Sequence, residues 1–172
     1  NDIYPISADS TLPFAQHRDL FYLSGIDQEQ TILILYPDAE NPDHRELVFV
    51  RETNKHIAVW EGHKLTQKET TEVSGVETVL WTNAFEKIFL ELAKSADNIY
   101  INTNEHYRAK VETQTREDRF IAWCKAQFPN HTYQKSNLIL QGLRGVKDPE
   151  EIAQIQYACN ITEKGFRRIL GF

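Results

Sequence analysis

The side chains most capable of chemistry are scattered along this chain rather than grouped. Its 172 residues include six histidines, at 17, 44, 56, 63, 106 and 131. No two of them lie three to five residues apart, and no His-Glu-x-x-His pattern occurs, so a zinc site built from local pairs is not expected. Each histidine reads as a surface or hydrogen-bonded packing residue. No serine sits in a Gly-x-Ser-x-Gly elbow; Ser24-Gly25 and Ser74-Gly75 read as turns. Cys124 falls on an apolar helical face, where burial raises a thiol's pKa and works against a nucleophilic role. Glu150-Glu151 resemble paired carboxylates, but a helix start accounts for them. Gly142-Leu143-Arg144-Gly145 has the spacing of a nucleotide-clamping loop, yet it lies in an acidic chain and reads as a linker. The segment Arg51 to Leu65 (RETNKHIAVWEGHKL) is the most informative. It follows a strand-like run and places Trp60 before Glu61-Gly62, where the indole is either a rim residue facing a ligand or partner, or a core residue capped by a turn.

The elements that would position these residues follow from apolar spacing. Short apolar runs ending in turn residues read as strands at Leu20–Leu23, Thr31–Tyr36, Leu47–Val50, Val76–Trp81, Ile99–Asn102 and Asn137–Leu140. Helical spacing appears from Asn83 to Ala93, with Asn83 and Glu86 as a capping box, from Arg116 to Phe128, and more weakly from Thr66 to Glu72. Hairpin-like strands followed by alternating strands and helices imply an α/β fold, a mixed β-sheet flanked by helices. Asp148-Pro149-Glu150-Glu151 is a helix start. Beyond it Ile152, Ile155, Cys159, Thr162, Phe166 and Ile169 form one helical stripe. That stripe either docks on the chain's own sheet or belongs against another domain. The two glycines between Gly142 and Lys147 favour a boundary there, giving units 1–143 and 144–172.

Composition narrows the partners. The chain is 41% hydrophobic and 26% charged, an ordinary globular balance. Its net charge of −6 and pI of about 5.5 argue against a nucleic-acid partner. There is no long apolar run to span a membrane and no signal-like start, so a cytoplasmic protein is expected. The chain has no methionine, from which a missing leader is expected.

Three segments in order carry a resemblance. Leu12 to Ile26 resembles the N-terminal domain of aminopeptidase P at Pro13, Phe14, Gln16, Asp19, Phe21, Tyr22 and Gly25. Ala15 replaces an arginine of the family pattern, and His17-Arg18 replaces a polar pair. Arg51 to Leu65 is similar to the family's Arg, Trp, Gly, basic, Leu segment. Lys147 to Ile152, with the later Ile161-Thr162, is similar to the linker helix that opens the family's catalytic domain.

The resemblance implies a fold like the creatinase N-terminal domain. It also implies that the parent protein removes an N-terminal residue preceding proline, with peptides carrying proline in second position as substrates. The metal ligands, for two divalent ions that are usually manganese, would lie in a C-terminal pita-bread domain beyond this chain, so no catalytic or metal-binding residue is expected here. This domain would meet its own catalytic domain, help build a homo-oligomer (dimer or tetramer) and wall the substrate groove. Trp60 matches a tryptophan that reaches a neighbouring subunit's active site. A prolidase or creatinase relative, or a non-enzymatic peptidase-like binding module, would share the same domain.

Overall fold

The computed structural model describes residues 3–7, 10–103 and 114–171. The chain divides into two compact units, 1–136 and 137–172.

The first unit centres on a three-stranded mixed sheet. Its members are β3 (Ile32–Leu35), β4 (Glu46–Val50) and β5 (Thr78–Trp81), reached after a short antiparallel pair, β1 (Pro5–Ser7) and β2 (Ser10–Thr11), and the helix α1 (Arg18–Ser24). β3 runs antiparallel to β4 with Ile32 opposite Phe49 and Leu35 opposite Glu46. β4 runs parallel to β5 with Leu47 opposite Thr78 and Val50 opposite Trp81. The connection from β4 to β5 carries the helices α2 (Lys55–Glu61) and α3 (Gln67–Ser74). α4 (Phe85–Ala93) then leads to a parallel pair, β6 (Asn98–Ile101) and β7 (Thr132–Lys135), with α5 (Arg116–Gln127) between them. The mixed sheet with helices expected from the sequence is the fold observed.

β4 explains why its run is apolar without alternation. Leu47, Val48, Phe49 and Val50 are all at most 1% exposed, because a strand covered on both faces needs apolar side chains at every position. Successive side chains point to opposite faces. Val48 and Val50 join Ile26, Val76 and Val79 in one core cluster, with Leu33, Leu65 and Trp81 packed against it. Phe49 points the other way and meets Phe85 edge-on, centroids 5.3 Å apart and planes at 84°. From Phe85 the contacts continue through Phe89 and Phe120 to Trp123. Alternate residues of one strand thus anchor two separate cores.

Several sequence expectations are corrected. Leu20–Leu23 lies in α1 rather than in a strand. His17 caps that helix, its Nδ1 accepting from the Asp19 N–H at 3.3 Å, and Gly25 ends it at φ 67° with its N–H donating to the Phe21 carbonyl at 2.7 Å. A run of four apolar residues satisfies either periodicity, and the two caps decide it. Asn137–Leu140 is also helical. It opens α6 (Asn137–Gly145), and the glycines read as a linker, Gly142 and Gly145, lie inside that helix. The Asn83–Glu86 capping box does not form: a single 3-10 turn over Thr82–Ala84 precedes α4, and the cap position is Ala84, without a side-chain bond. The capping boxes instead start α3, through Thr66 and Glu69, and α5, through Thr115 and Asp118. In each, hydrogen bonds from the threonine hold the carboxyl below its ordinary pKa.

The second unit contains α6 and α7 (Pro149–Leu170). α7 starts as expected. The Asp148 Oδ1 accepts from the Glu151 N–H at 2.8 Å, and the Glu151 Oε2 accepts from the Asp148 N–H at 3.1 Å. Its stripe of Ile152, Ile155, Phe166 and Ile169 is exposed.

Candidate functional site

The excursion between β4 and α3 carries the one residue singled out as a binding candidate. Asn54 starts α2, its Oδ1 accepting from the N–H groups of His56 at 2.9 Å and Ile57 at 3.0 Å. α2 has only seven residues, too few to be stable alone, and none of them is buried. Ile57 and Ala58 are half-covered, while Val59 and Trp60 project outward. Trp60 is 80% exposed, so its indole is a surface feature and not part of the core. The helix ends at Gly62, whose φ of 77° and ψ of 178° belong to a region essentially open to glycine alone. A Cβ there would meet nothing within 4 Å, so glycine is required for backbone conformation and not for space.

Charged groups tie this excursion down. The Arg51 guanidinium engages Glu61 with both nitrogens, Nη1 at 2.7 Å from Oε2 and Nη2 donating to Oε1 at 2.8 Å. This fork geometry is the strong form of a carboxylate pair. Arg51 Nη1 also lies 3.7 Å from Glu29 Oε1, and Lys64 Nζ lies 2.6 Å from the same oxygen. The Glu29 side chain is only 6% exposed. Next to it, the Gln28 Oε1 accepts the Leu65 N–H at 2.7 Å, and the Gln28 carbonyl accepts from Gln16 Nε2 at 2.7 Å. The loop holding Gln28 and Glu29 turns at Gln30, with φ 58°, into β3. Arg51, Trp60 and Lys64 lie in the segment singled out from the sequence; Gln28 and Glu29 do not. A polar run such as Asp27-Gln28-Glu29-Gln30 reads as a solvated loop, and only distant partners bury it.

The other candidates do separate structural work. His17 caps α1. His131 packs on Phe128 with ring centroids 4.9 Å apart and places Nε2 2.7 Å from the Ala93 carbonyl oxygen. His63 lies 3.4 Å from Glu69 at the surface. His106 lies outside the described residues. Among the described residues no three His, Cys, Asp or Glu side chains are grouped to hold a metal ion, so the two-metal centre implied by the resemblance does not fit these residues. A cleft of about 570 Å³ between β3, α4 and β6 is lined by Leu33, Phe85, Phe89, Ile99 and Phe120 among others, and among the described residues no histidine, cysteine or lysine lines it.

Cys124 is fully buried, and burial pushes its thiol up to about 12. The fold therefore favours the neutral thiol. Its contribution is complete below the ordinary value of 9.0 and is lost as pH rises from there toward 12. A maleimide at neutral pH is expected to label Cys159, which is exposed, and to leave Cys124 unmodified until the chain is denatured. Mass spectrometry of the native protein showing two labels would contradict this assignment.

The family model for the aminopeptidase P N-terminal domain matches residues 1–100, and the chain belongs to that family. It is 25% identical over 168 residues to the Xaa-Pro aminopeptidase of Escherichia coli (strain K12), covering 95% of this chain and 37% of that protein. Among solved structures, one from Bacillus anthracis described as a candidate aminopeptidase P superposes with a TM-score of 0.81 at 24% identity, over 94% of this chain and 38% of that one. A zinc-substituted Escherichia coli aminopeptidase P in complex with product superposes with a TM-score of 0.68 at 21% identity, over 89% of this chain and 35% of that one. The chain thus spans little more than a third of the length of these relatives, and it matches their N-terminal part. It is the N-terminal domain of an aminopeptidase P-like protein.

Proposed function

We propose that this chain is the non-catalytic N-terminal domain of an Xaa-Pro aminopeptidase, a protein that removes the N-terminal residue preceding proline. The observation that carries the reading is the match of the chain to the N-terminal part of the Escherichia coli Xaa-Pro aminopeptidase, alongside a family model for that same domain. The relatives' names favour this chemistry over that of a prolidase or creatinase. In this proposal the reaction belongs to a C-terminal pita-bread domain with two divalent ions, manganese in the cell, that polarise the scissile carbonyl and activate water. The exposed stripe of α7 faces that domain, and 144–172 is its linker and first helix. The first unit helps assemble a dimer or tetramer and supplies Trp60 as a wall of a neighbouring subunit's substrate groove. Its two free cysteines suit a reducing cytoplasm.

Trp60 tests the reading. In the longer protein the wild type is expected to cleave a tripeptide with proline in second position. Trp60→Ala is expected to raise KM by roughly tenfold, the scale of losing one aromatic contact, with a smaller change in kcat. The substitution removes a side chain that is 80% exposed, so the melting temperature should hold. An unchanged KM would remove Trp60 from the substrate groove. A wild type unable to cleave such peptides would overturn the proposed activity.

A further inference from the structure

We propose that Glu29 is a positioning residue for Trp60: its buried carboxylate binds Arg51 and Lys64 together and so closes the base of the excursion that carries the indole. The inference rests on the proposed role of Trp60 and adds the device that holds it in place.

The excursion leaves β4 at Arg51 and rejoins the core at Leu65. Both ends arrive at one dipeptide. Gln28 accepts the Leu65 N–H at one end, and Glu29 Oε1 forms ion pairs at both, with Lys64 Nζ at 2.6 Å and with Arg51 Nη1 at 3.7 Å. A loop's ends must be brought together at an entropic cost, and a contact that joins them lowers the freedom of everything between. α2 needs such a contact because it buries no side chain of its own. Its C-terminal residue, Glu61, also lies at the negative end of the helix dipole, where a carboxylate is unfavourable unless a cation meets it. Arg51 meets it with a two-nitrogen fork and passes the connection to Glu29. Glu61 and Arg51 are about a third exposed, and water screens their pair. Glu29 is 6% exposed and Lys64 15%, so their pair is the sheltered one, and the anchoring falls to Glu29. Removing its charge leaves a nearly buried ammonium without its counter-ion. The consequence is local: the excursion loosens, and with it the pose of Trp60, while the β4 cores stay packed.

Amide hydrogen exchange on this chain reads the effect directly. In Glu29→Gln, peptides covering 54–65 are expected to exchange roughly tenfold faster, while those covering β4 and α5 stay unchanged, the signature of a local opening. Glu29→Asp keeps the charge and should restore part of the protection. If Glu29→Gln does not fold, Glu61→Gln carries the test, with about threefold faster exchange confined to the same residues. No acceleration in 54–65, or equal acceleration everywhere, overturns the inference. In the longer protein, Glu29→Gln should raise KM as Trp60→Ala does, and combining the two should add nothing further, because one acts through the other. Local loosening with KM unmoved supports the anchoring and overturns the role of Trp60. A raised KM without local loosening overturns the anchoring.

Discussion

Phe49→Ala is expected to lower the stability of the first unit by about 3–5 kcal/mol, the range for truncating a buried aromatic. Phe49 is fully buried on β4, the middle strand of its sheet, where it lies opposite Ile32 of β3 on one side and Leu80 of β5 on the other. No shift of an edge strand can therefore fill the space its ring leaves. The ring also orients Phe85, which stacks on Phe89 at 5.5 Å and touches Phe120 at 5.7 Å. Losing the first ring of that series loosens the seat of α4 and α5 as well as the strand. A domain is stable by only about 5–15 kcal/mol, so the variant should lose a large share of its margin. Urea denaturation should show the midpoint falling with the slope unchanged. Phe49→Leu keeps most of the volume and should cost less than about 1.5 kcal/mol. A Phe49→Ala loss below about 1 kcal/mol would mean that the cavity collapses freely and that the two cores are less rigid than their geometry implies.

The same strand shows what could be read in advance. Leu47 to Val50 announced a strand because burial on both faces leaves no polar position to confuse the pattern. α5 and α7 were legible because each has several turns of consistent spacing. The failures share a cause. Leu20–Leu23 and Asn137–Leu140 are runs of only a few apolar residues, compatible with strand or helix, and the deciding contacts lie beside them or far away. In α6 the interior glycine at 142 costs about 1 kcal/mol relative to alanine, so the segment lacks a helix's composition while adopting its conformation. At the candidate site, Trp60 was visible because an indole beside a glycine turn is unusual in type and position. Glu29 was invisible because nothing in its neighbours announces burial. Its partners, Arg51 and Lys64, come from the far side of β3 and β4 in sequence, and a carboxylate becomes an anchor only when folding brings two cations to it.

The division of labour proposed for the protein leads to the largest effect of all. This chain alone, supplied with manganese or zinc, is expected to give no hydrolysis of a tripeptide with proline in second position, while the protein extended through its downstream domain should turn over at a rate of roughly 1–1,000 per second. Hydrolysing an unactivated amide requires a nucleophile made potent at neutral pH and a group to bear charge on the carbonyl oxygen, and paired metal ions can supply both. Paired ions need several carboxylates and a histidine converging within about 2–2.5 Å of each metal. The described residues bring no three such side chains together: Glu69 and Asp118 serve capping boxes, Glu29 and Glu61 pair with Arg51 and Lys64, His17 caps α1, His131 packs on Phe128, and His63 lies at the surface. Isothermal titration of this chain with manganese should accordingly show no tight site, and the extended protein should show metal-dependent turnover that a chelator abolishes. Metal-dependent cleavage by this chain alone would place the reacting groups here and overturn the proposal. An extended protein that binds peptides but never cleaves them would make the first unit, with its exposed indole, part of a binding surface and not of an enzyme.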